Sequence, residues 1–292
     1  QERDRAWSAI QNSLNRYDSD LKGFDPDKAP DKPLVHLANH VLIADKKDFK
    51  VKQTYLDTVL RWFSTEIEQV GVDSMKENLD AWASRNTAGL IPNSGIKVTQ
   101  DTRLVVQNAL LFAAQWDSPF TAESTHQEDF TLAGGKTVKA DLMHDTRSIP
   151  HATGKGWAAV RLHYASGEDG RDSDLALDVV LPDAGTLPGT MDAGTWAEAS
   201  KALDKAQAKE VRLALPKLDL TSHPKELLDF LKEQGLNTEG LDKIAPGLGL
   251  TQVVQQVRLI LDEEGTVAAA LSEAQAAEMA APGEEPPPEP IK

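Results

Sequence analysis

Three Ser-x-x-Lys spacings occur along the chain, and a lysine at that distance could activate a serine hydroxyl as a nucleophile. The pairs are Ser19 with Lys22, Ser94 with Lys97 and Ser222 with Lys225. A chain with this much serine and lysine is expected to contain such pairs by chance, and no companion motif follows any of them. We therefore assign no catalytic residue and expect that the protein is not an enzyme.

Two other spacings could hold a phosphate or a metal ion. Gly-Lys-Thr at 135–137 matches the end of a phosphate loop, but Phe130 stands where the first glycine is required, so a hairpin turn is expected. His36 and His40 are four residues apart in a strand-like stretch, where they would share a face without a third ligand. The seven histidines form no HExxH motif. We predict no metal site and no cofactor.

Composition excludes several classes of protein. The chain has 292 residues, 40% of them apolar, no cysteine, and a net charge of −15. The apolar fraction supports one large domain or two small ones, and the missing cysteine excludes disulfides, a thiolate nucleophile and Cys-ligated metals. The acidic charge argues against nucleic acid and anionic membranes as partners. No apolar run could span a bilayer, and residues 1–5 lack the apolar stretch of a signal peptide, so we expect a soluble chain.

Helical and strand-like segments are mixed along the chain. Helical patterns cover residues 4–17, 49–63, 74–89, 192–209 and 224–234. Within them, Ser74 and Glu77 form a capping-box motif, Gly89 is placed to end a helix and Pro224 to begin one. Apolar strand-like runs cover 34–44, 102–116, 137–143, 156–165, 175–182 and 251–262. Because helices and strands do not alternate strictly, we predict an α+β fold with mixed sheets.

The C-terminal part has two unusual compositions. Residues 282–290 hold five prolines and three glutamates, so this segment should be extended and solvated. Residues 266–281 are rich in alanine, which favours a helix on periodicity alone. The same segment also alternates: every even position from 266 to 276 is small, whereas the odd ones include Val267, Leu271 and Glu273. A strand with one small face could enter a crowded sheet, so both interpretations stand at this level.

Several motifs, taken in order, resemble those of the serpin family of protease inhibitors. Asp262–Thr266 followed by Ala268–Ala270 resembles the family's hinge, and Asn108–Trp116 resembles its central-strand motif. Further similarities are Ala38-Asn39, the set Trp82, Thr87, Gly89 and Ile91, the set Phe120, Phe130, Gly135, Val138 and Met143, Val179–Asp183, and Leu215–Lys217 with Leu218 in place of Phe. The sequence is identified on these motifs as similar to a serpin.

The resemblance implies a fold and an activity. The fold would be α+β and serpin-like, with large mixed β-sheets covered by helices and an exposed reactive-centre loop. Residues 1–292 would form one partial domain: a body at 1–262, the hinge and reactive-centre loop at 263–281, and the extended Pro/Glu-rich segment at 282–292. A serine protease would cleave the loop as a suicide substrate, and the hinge would insert into the main sheet and trap the acyl-enzyme. An extracellular location is also typical of the family.

The resemblance also assigns residues to this mechanism. The hinge would comprise Glu263, Glu264, Gly265, Thr266, Ala268, Ala269, Ala270 and Ser272, and the loop-entry and sheet-opening region would comprise Trp116, Asn108 and Gln255. The reactive bond is expected at Met279–Ala280, sixteen residues beyond Glu263, with a slip of one residue as the alternative. Methionine there suits elastase-, chymotrypsin- or subtilisin-like pockets.

Structural expectations follow for the hinge. Even-numbered small residues should face the core of the expanded sheet, and Leu271 should point outward. Gly265 should supply backbone freedom. Gln255, where many members have His, should hydrogen-bond to Asn108.

By family standards the sequence lacks N-terminal helices and the closing strands. We therefore expect either a fragment or cleavage product of a longer protein, or a complementary C-terminal peptide or chain that supplies the rest. Such a fragment alone would expose an apolar groove and unpaired strand edges. A non-inhibitory serpin that binds a partner and a non-functional fragment remain the alternative functions.

Overall fold

The helices and strands are taken from a computed structural model that describes residues 2–132, 134–166 and 175–278. Its α-helices are α1 Glu2–Leu14, α2 Gln53–Phe63, α3 Val72–Asn86, α4 Ala193–Leu203 and α5 Leu228–Glu233. Its strands are β1 Leu34–Ala44, β2 Glu66–Val70, β3 Thr102–Gln115, β4 Thr125–Thr131, β5 Thr137–Gly154, β6 Trp157–His163, β7 Ala176–Pro182, β8 Ala208–Pro216, β9 Leu218–Thr221, β10 Lys225–Glu226, β11 Leu248–Leu261 and β12 Gly265–Glu278.

The main sheet has seven strands in the order β10-β11-β12-β3-β1-β2, with β9 also paired to β11. Only β1 and β2 run parallel, and the other neighbours are antiparallel. The strand β12 lies in the middle of this sheet and pairs along its length with both β11 and β3. A central position requires every backbone donor on both edges, which the absence of proline between 265 and 278 permits.

The second sheet has five strands, in the order β4-β5-β6-β7, with β8 paired to β5. The long strand β5 is divided between partners, since its first half pairs with β4, its middle with β8 and its end with β6. One face of the β6 region is covered by α4, where Trp157 packs against Ala199 and Leu203. A bridge between Trp116 and Tyr164 connects the ends of the two sheets.

The helix α3 lies across one face of the main sheet. We call the side of the sheet that α3 covers the α3 face. The α3 residues Leu79, Trp82 and Ala83 are almost fully buried, and they pack in apolar clusters with β1, β3 and β12. The Trp82 indole stacks on the buried ring of His40 at 5.2 Å and donates from Nε1 to Glu66 at 2.9 Å. On the opposite face, α2 packs against β1 and β3 at one end of the sheet.

Most predicted elements are present, with boundaries that differ in places. The predicted α+β class with mixed sheets is confirmed. The predicted helix at 192–209 ends at Leu203, since Ala208 already begins a strand. The predicted helix at 224–234 is shorter, because Lys225 and Glu226 pair with β11 before α5 begins. The strands β2, β4, β8, β9 and β10 were not predicted. β4 is mostly exposed and polar, and β2 mixes exposed and half-buried residues without a clear apolar alternation.

The predicted capping box is wrong. The helix α3 begins at Val72, before Ser74, with Gly71 as its N-cap and no side-chain capping bond. Packing against the sheet places the start of the helix before the residue that the local Ser-x-x-Glu pattern indicated. Gly89 does follow the helix end as predicted, with φ at +79° and its N–H bonded to the carbonyl of Ser84 at 2.8 Å.

Within the described ranges, no helix combines the length and apolar character needed to cross a membrane.

Replacing the buried Trp82 with alanine tests the contact between α3 and the sheet. Trp82 is 2% exposed, so Trp82→Ala should lower the free energy of unfolding by about 3–5 kcal/mol, measured by urea denaturation. Trp196→Ala is the matched control, because Trp196 also lies on a helix but is 44% exposed, and it should change stability by less than about 0.5 kcal/mol. Equal effects from the two changes would contradict the packing of α3.

Candidate loop-insertion site

The side chain of Asp262 holds the turn between β11 and β12. The Asp262 carboxylate accepts hydrogen bonds from the backbone N–H of Glu264 at 2.9 Å and of Gly265 at 3.1 Å. Trp116 secures the same turn from β3, since its indole Nε1 donates to the Asp262 carbonyl and its backbone N–H donates to the Glu264 carbonyl, both at 2.9 Å. The predicted loop-entry residue Trp116 therefore lies beside the start of β12.

Gly265 is required by close contact. A Cβ at this position would lie 2.2 Å from the carbonyl oxygen of Ala114 and 2.8 Å from Cα of Gln115. Its φ is not in the left-handed region, so the expected need for backbone freedom is not what the structure shows. The absent side chain instead lets β12 begin directly against β3.

The hinge carboxylate of Glu263 points to the second sheet. It accepts from Lys217 Nζ at 2.6 Å and from Thr125 Oγ1 at 2.7 Å, and the Glu263 carbonyl accepts from the N–H of Phe120 at 2.9 Å. Burial alone would raise the pKa of Glu263, but these hydrogen bonds outweigh it and lower the pKa. Glu263 is therefore held as a carboxylate that fixes the turn to β4 and to Lys217, which lies between β8 and β9. The neighbouring side chain of Glu264 is exposed.

Tyr164 links Thr266 of the hinge to two other aromatic rings. The hydroxyl of Tyr164 donates to Thr266 Oγ1 at 2.9 Å, and the Tyr164 ring stacks on Trp116 at 4.7 Å and meets Phe112 edge-on at 5.0 Å. Burial raises the pKa of Tyr164 to about 12, against a smaller opposite effect of its bond to Thr266. The phenol therefore stays protonated and keeps this hydrogen bond over the physiological pH range.

The expected facing of the strand is wrong. Leu271 does not point outward: it is fully buried on the α3 face, in one cluster with Trp82 and Ala83. The odd residues Val267, Ala269, Leu271, Glu273 and Gln275 are all at most 5% exposed. The small even residues Ala268, Ala270, Ser272 and Ala274 lie on the opposite face and are only half-buried. Alternation was recognised correctly, but a sequence cannot say which of the two faces a helix will cover.

The predicted sheet-opening residues are separated by the inserted strand. Ser272 lies opposite Asn108 on one side and opposite Gln255 on the other. Gln255 Nε2 donates to Ser272 Oγ at 3.3 Å, whereas Asn108 Nδ2 donates to Asn39 Oδ1 at 2.9 Å. The expected direct bond between Gln255 and Asn108 is therefore not formed in this arrangement.

A buried carboxylate in the distal half of β12 was not assigned a role from the sequence. Glu273 is 1% exposed and accepts from Ser94 Oγ at 2.5 Å, from the Gly95 N–H at 2.7 Å and from Gln107 Nε2 at 2.8 Å. Ser94 was considered only as a nucleophile, and here it is a donor to Glu273. The sequence feature that could have indicated this role is that Glu273 is the one acidic residue in a run of small residues.

The histidines considered as metal ligands have other partners. His36 contacts Asp18 at 2.8 Å and Asn86 at 3.1 Å. His40 donates from Nδ1 to Gln107 Oε1 at 2.9 Å, and burial lowers its pKa, so it is neutral. In the part of the chain that the structure describes, no three His, Asp or Glu side chains converge as metal ligands.

The end of β12 is tied to β3 by polar side chains. Gln275 Nε2 donates to Thr102 Oγ1 at 3.0 Å, and Arg103 Nη2 donates to Glu278 at 2.8 Å. The predicted reactive bond Met279–Ala280 lies directly after this strand and outside the described residues, as does the Pro/Glu-rich segment 282–292. In this structure residues 265–278 lie inside the main sheet and not in the expected exposed loop, because both β3 and β11 bond to them.

The main sheet is mixed and has the Ala-rich strand β12 near its centre. The family described as serpin (serine protease inhibitor) matches residues 4–290, and the chain belongs to this family. Serpin B10 of Plecturocebus moloch is 28% identical over 244 residues, which cover 77% of this chain and 60% of that protein. The chain thus spans about three fifths of this relative.

Solved structures show the same fold. A complex of thyroxine-binding globulin with thyroxine-fluorescein has a TM-score of 0.77 at 19% identity and covers 94% of this chain and 79% of its own. Cleaved kallistatin complexed with heparin has a TM-score of 0.77 at 16% identity, with the same shares covered.

Adding one methyl group at the hinge tests the close approach of β12 to β3. Gly265→Ala should lower the free energy of unfolding by about 1–3 kcal/mol or more, because the nearest atoms belong to rigid backbone. Gly134→Ala is the control, since a Cβ there meets nothing within 4 Å and its φ is not positive, and it should be neutral in the same urea titration. A neutral Gly265→Ala would mean that β12 does not start against Ala114.

Proposed function

We propose that this protein inhibits a serine-type endopeptidase as a suicide substrate. The protease serine attacks the carbonyl carbon of Met279, an ester forms, and the peptide bond to Ala280 breaks as the new amine takes up a proton. The hinge half of the loop then occupies the main sheet, and the attached protease is carried along and distorted before water can hydrolyse the ester. The family match and the relatives support protease inhibition in general.

The observation that carries this proposal is the position of β12. The segment Gly265–Glu278, which bears the family's hinge motif, is hydrogen-bonded on both edges in the centre of the main sheet. The sheet therefore has room for the hinge half as far as Glu278, one residue short of Met279. The insertion of such a strand gains backbone hydrogen bonds on two sides at once, which supplies a driving force for distortion of the bound protease.

Side-chain size supports easy entry of the strand. Residues 268, 269, 270, 272, 274, 276 and 277 are alanine or serine, so most of the strand enters without displacing its neighbours. On the α3 face, the largest inserted residue is Leu271, which fits with no exposed surface beside Trp82. A loop that never inserted would not need this set of small residues.

The direct test is incubation of the chain with an elastase-, chymotrypsin- or subtilisin-like protease, followed by a denaturing gel. A band heavier than either partner that survives boiling in detergent supports the proposal, and sequencing the released peptide identifies the bond. Clean cleavage near Met279 without a heavy band contradicts it.

Changing the proposed pocket-filling residue should change the target. Met279→Arg should shift inhibition from elastase- or chymotrypsin-like proteases toward trypsin-like ones, because the new cation pairs with an acidic specificity pocket. The rate of complex formation is measured against both types of protease, with Ala280→Ser as a control next to the bond. If Met279→Arg leaves the preference unchanged, the proposed register of the bond is wrong.

A buried charge in the hinge should convert the inhibitor into a substrate. Ala269 is 2% exposed on the α3 face, so Ala269→Arg must bury an unpaired guanidinium during insertion. The trapped fraction should fall about tenfold or more while cleavage continues, since an unpaired buried charge costs several kcal/mol. Ala208→Arg, on an exposed strand end, is the matched control and should trap normally. Normal trapping by Ala269→Arg would exclude insertion as the mechanism.

A second candidate is a non-inhibitory serpin that binds a ligand. Its support is the structural likeness to thyroxine-binding globulin, together with Glu273, a carboxylate that insertion must bury. An apolar groove of about 440 Å³ between β6, β7 and β8 includes Leu181, which is 69% exposed, and Leu213. This groove could hold a ligand, but it also fits the exposed groove expected of an isolated fragment. The same gel separates both alternatives from inhibition, since neither forms a covalent complex.

A further inference from the structure

Glu273 is held by three neutral donors from two different parts of the fold. Ser94 and Gly95 belong to the segment between α3 and β3, and Gln107 belongs to β3. Ser94 Oγ and Gln107 Nε2 donate to Oε1, and the Gly95 N–H donates to Oε2. Both carboxylate oxygens therefore face donors, which is the arrangement that a carboxylate satisfies and an amide does not.

The segment 93–97 is fixed by contacts that do not involve β12. The Ser94 N–H donates to Asp80 of α3 at 2.7 Å, and the Lys97 N–H donates to Gln252 of β11 at 2.9 Å. Gln256 of β11 donates to the carbonyl of Asn93 at 2.9 Å. The segment is thus held on α3 and β11 independently of the inserted strand.

Close packing also fixes the donor at Gly95. A Cβ on this residue would lie 2.5 Å from Val254 Cγ1 and 3.0 Å from Pro224 Cβ. The missing side chain allows the backbone N–H to approach the sheet at the place where Glu273 enters.

Gln107 is oriented from two sides. Its Nε2 also donates to the carbonyl of Leu79 at 3.2 Å, and its Oε1 accepts from His40 Nδ1. The amide therefore presents its NH₂ group to Glu273 whether or not the strand is present.

We propose that Ser94, Gly95 and Gln107 form a carboxylate-binding site that receives Glu273 and anchors the distal half of the inserted strand. The proposal rests on the proposed function, because the site is filled only when the loop inserts. Its ligand is a side-chain carboxylate presented by an extended strand at this register. The turn at Asp262 fixes the start of β12, and this site holds the part beyond Ser272.

The site makes insertion sensitive to protons. The charged or titratable groups that face it are Lys76 and Asp80 of α3, which pair with each other, and His40 of β1, which is neutral. On β11 the residues of this face are uncharged: Gln252, Val254 and Gln256.

The direction of the pH effect follows from burial. Burial raises the pKa of Glu273, although the hydrogen bonds from Ser94, Gly95 and Gln107 oppose the increase. An acid with a raised pKa in the inserted state contributes stability at low pH that is lost as the pH rises through that pKa. The three donors reduce the cost of burying the ionised carboxylate without cancelling it. Insertion of the distal half should therefore weaken as the pH rises, and more so when a donor is removed.

Hydrogen exchange of the backbone amides of 274–278, in the chain after cleavage at the proposed reactive bond, tests the site. At pH 7.5, Ser94→Ala and Glu273→Gln should each lower the protection factors about tenfold, since a hydrogen bond to a buried charged group contributes on that order. Glu264→Gln is the matched control: it makes the same change on the exposed side of the turn and should stay within about twofold of wild type. Between pH 5 and pH 8, protection should decline in wild type and stay level in Glu273→Gln.

A double variant separates the site from a general loss of packing. In a Glu273→Ala background, Ser94→Ala should have almost no further effect, because its acceptor is already gone. Additive effects of the two changes, or unchanged protection in Ser94→Ala and Glu273→Gln, would overturn the carboxylate site while leaving insertion intact. If amides 266–278 are unprotected in the cleaved wild-type chain, insertion itself fails, and the proposed function fails with it.

Discussion

The backbone hydrogen bonds of β3 and β11 depend on one segment, because residues 265–278 lie between these strands and bond to both. Removal of that strand would leave two long rows of donors and acceptors without their present partners in the middle of the sheet. The surroundings fit this requirement: α3 covers Val267, Ala269 and Leu271, and the turn is pinned to Trp116. The other contacts of the hinge position this strand.

The entrance to the sheet is also where the two sheets meet. Trp116 and Tyr164 stack and bridge the sheets, and Tyr164 hydrogen-bonds to Thr266 near the start of β12. Glu263 extends the connection to Lys217 and Thr125 on the second sheet. The start of β12 is therefore tied to the packing between the two sheets.

Beneath α3, a polar chain crosses an otherwise apolar interface. His40, Gln107 and Glu273 lie on β1, β3 and β12 and are joined by two hydrogen bonds, with Trp82 stacked on the histidine. A buried polar chain is stable only when its members are satisfied, and Glu273 supplies the acceptor that Ser94, Gly95 and Gln107 share. A residue at position 273 without an acceptor would leave these donors unsatisfied.

The sequence by itself determined the class and most elements: β1 was predicted with its boundaries, the hinge motif and Asn108–Trp116 indicated the family, and the alternation at 266–276 allowed a strand. These features are local, since periodicity and motif order are written in consecutive residues. Tertiary structure decided the rest. Three features depend on residues more than eighty positions away in the chain, such as Ala114 and Ser94. They are the face of β12 that is covered by α3, the need for glycine at position 265 and the hydrogen bonds that hold Glu273. A strand pattern gives two equivalent faces, and only the packed helix distinguishes them.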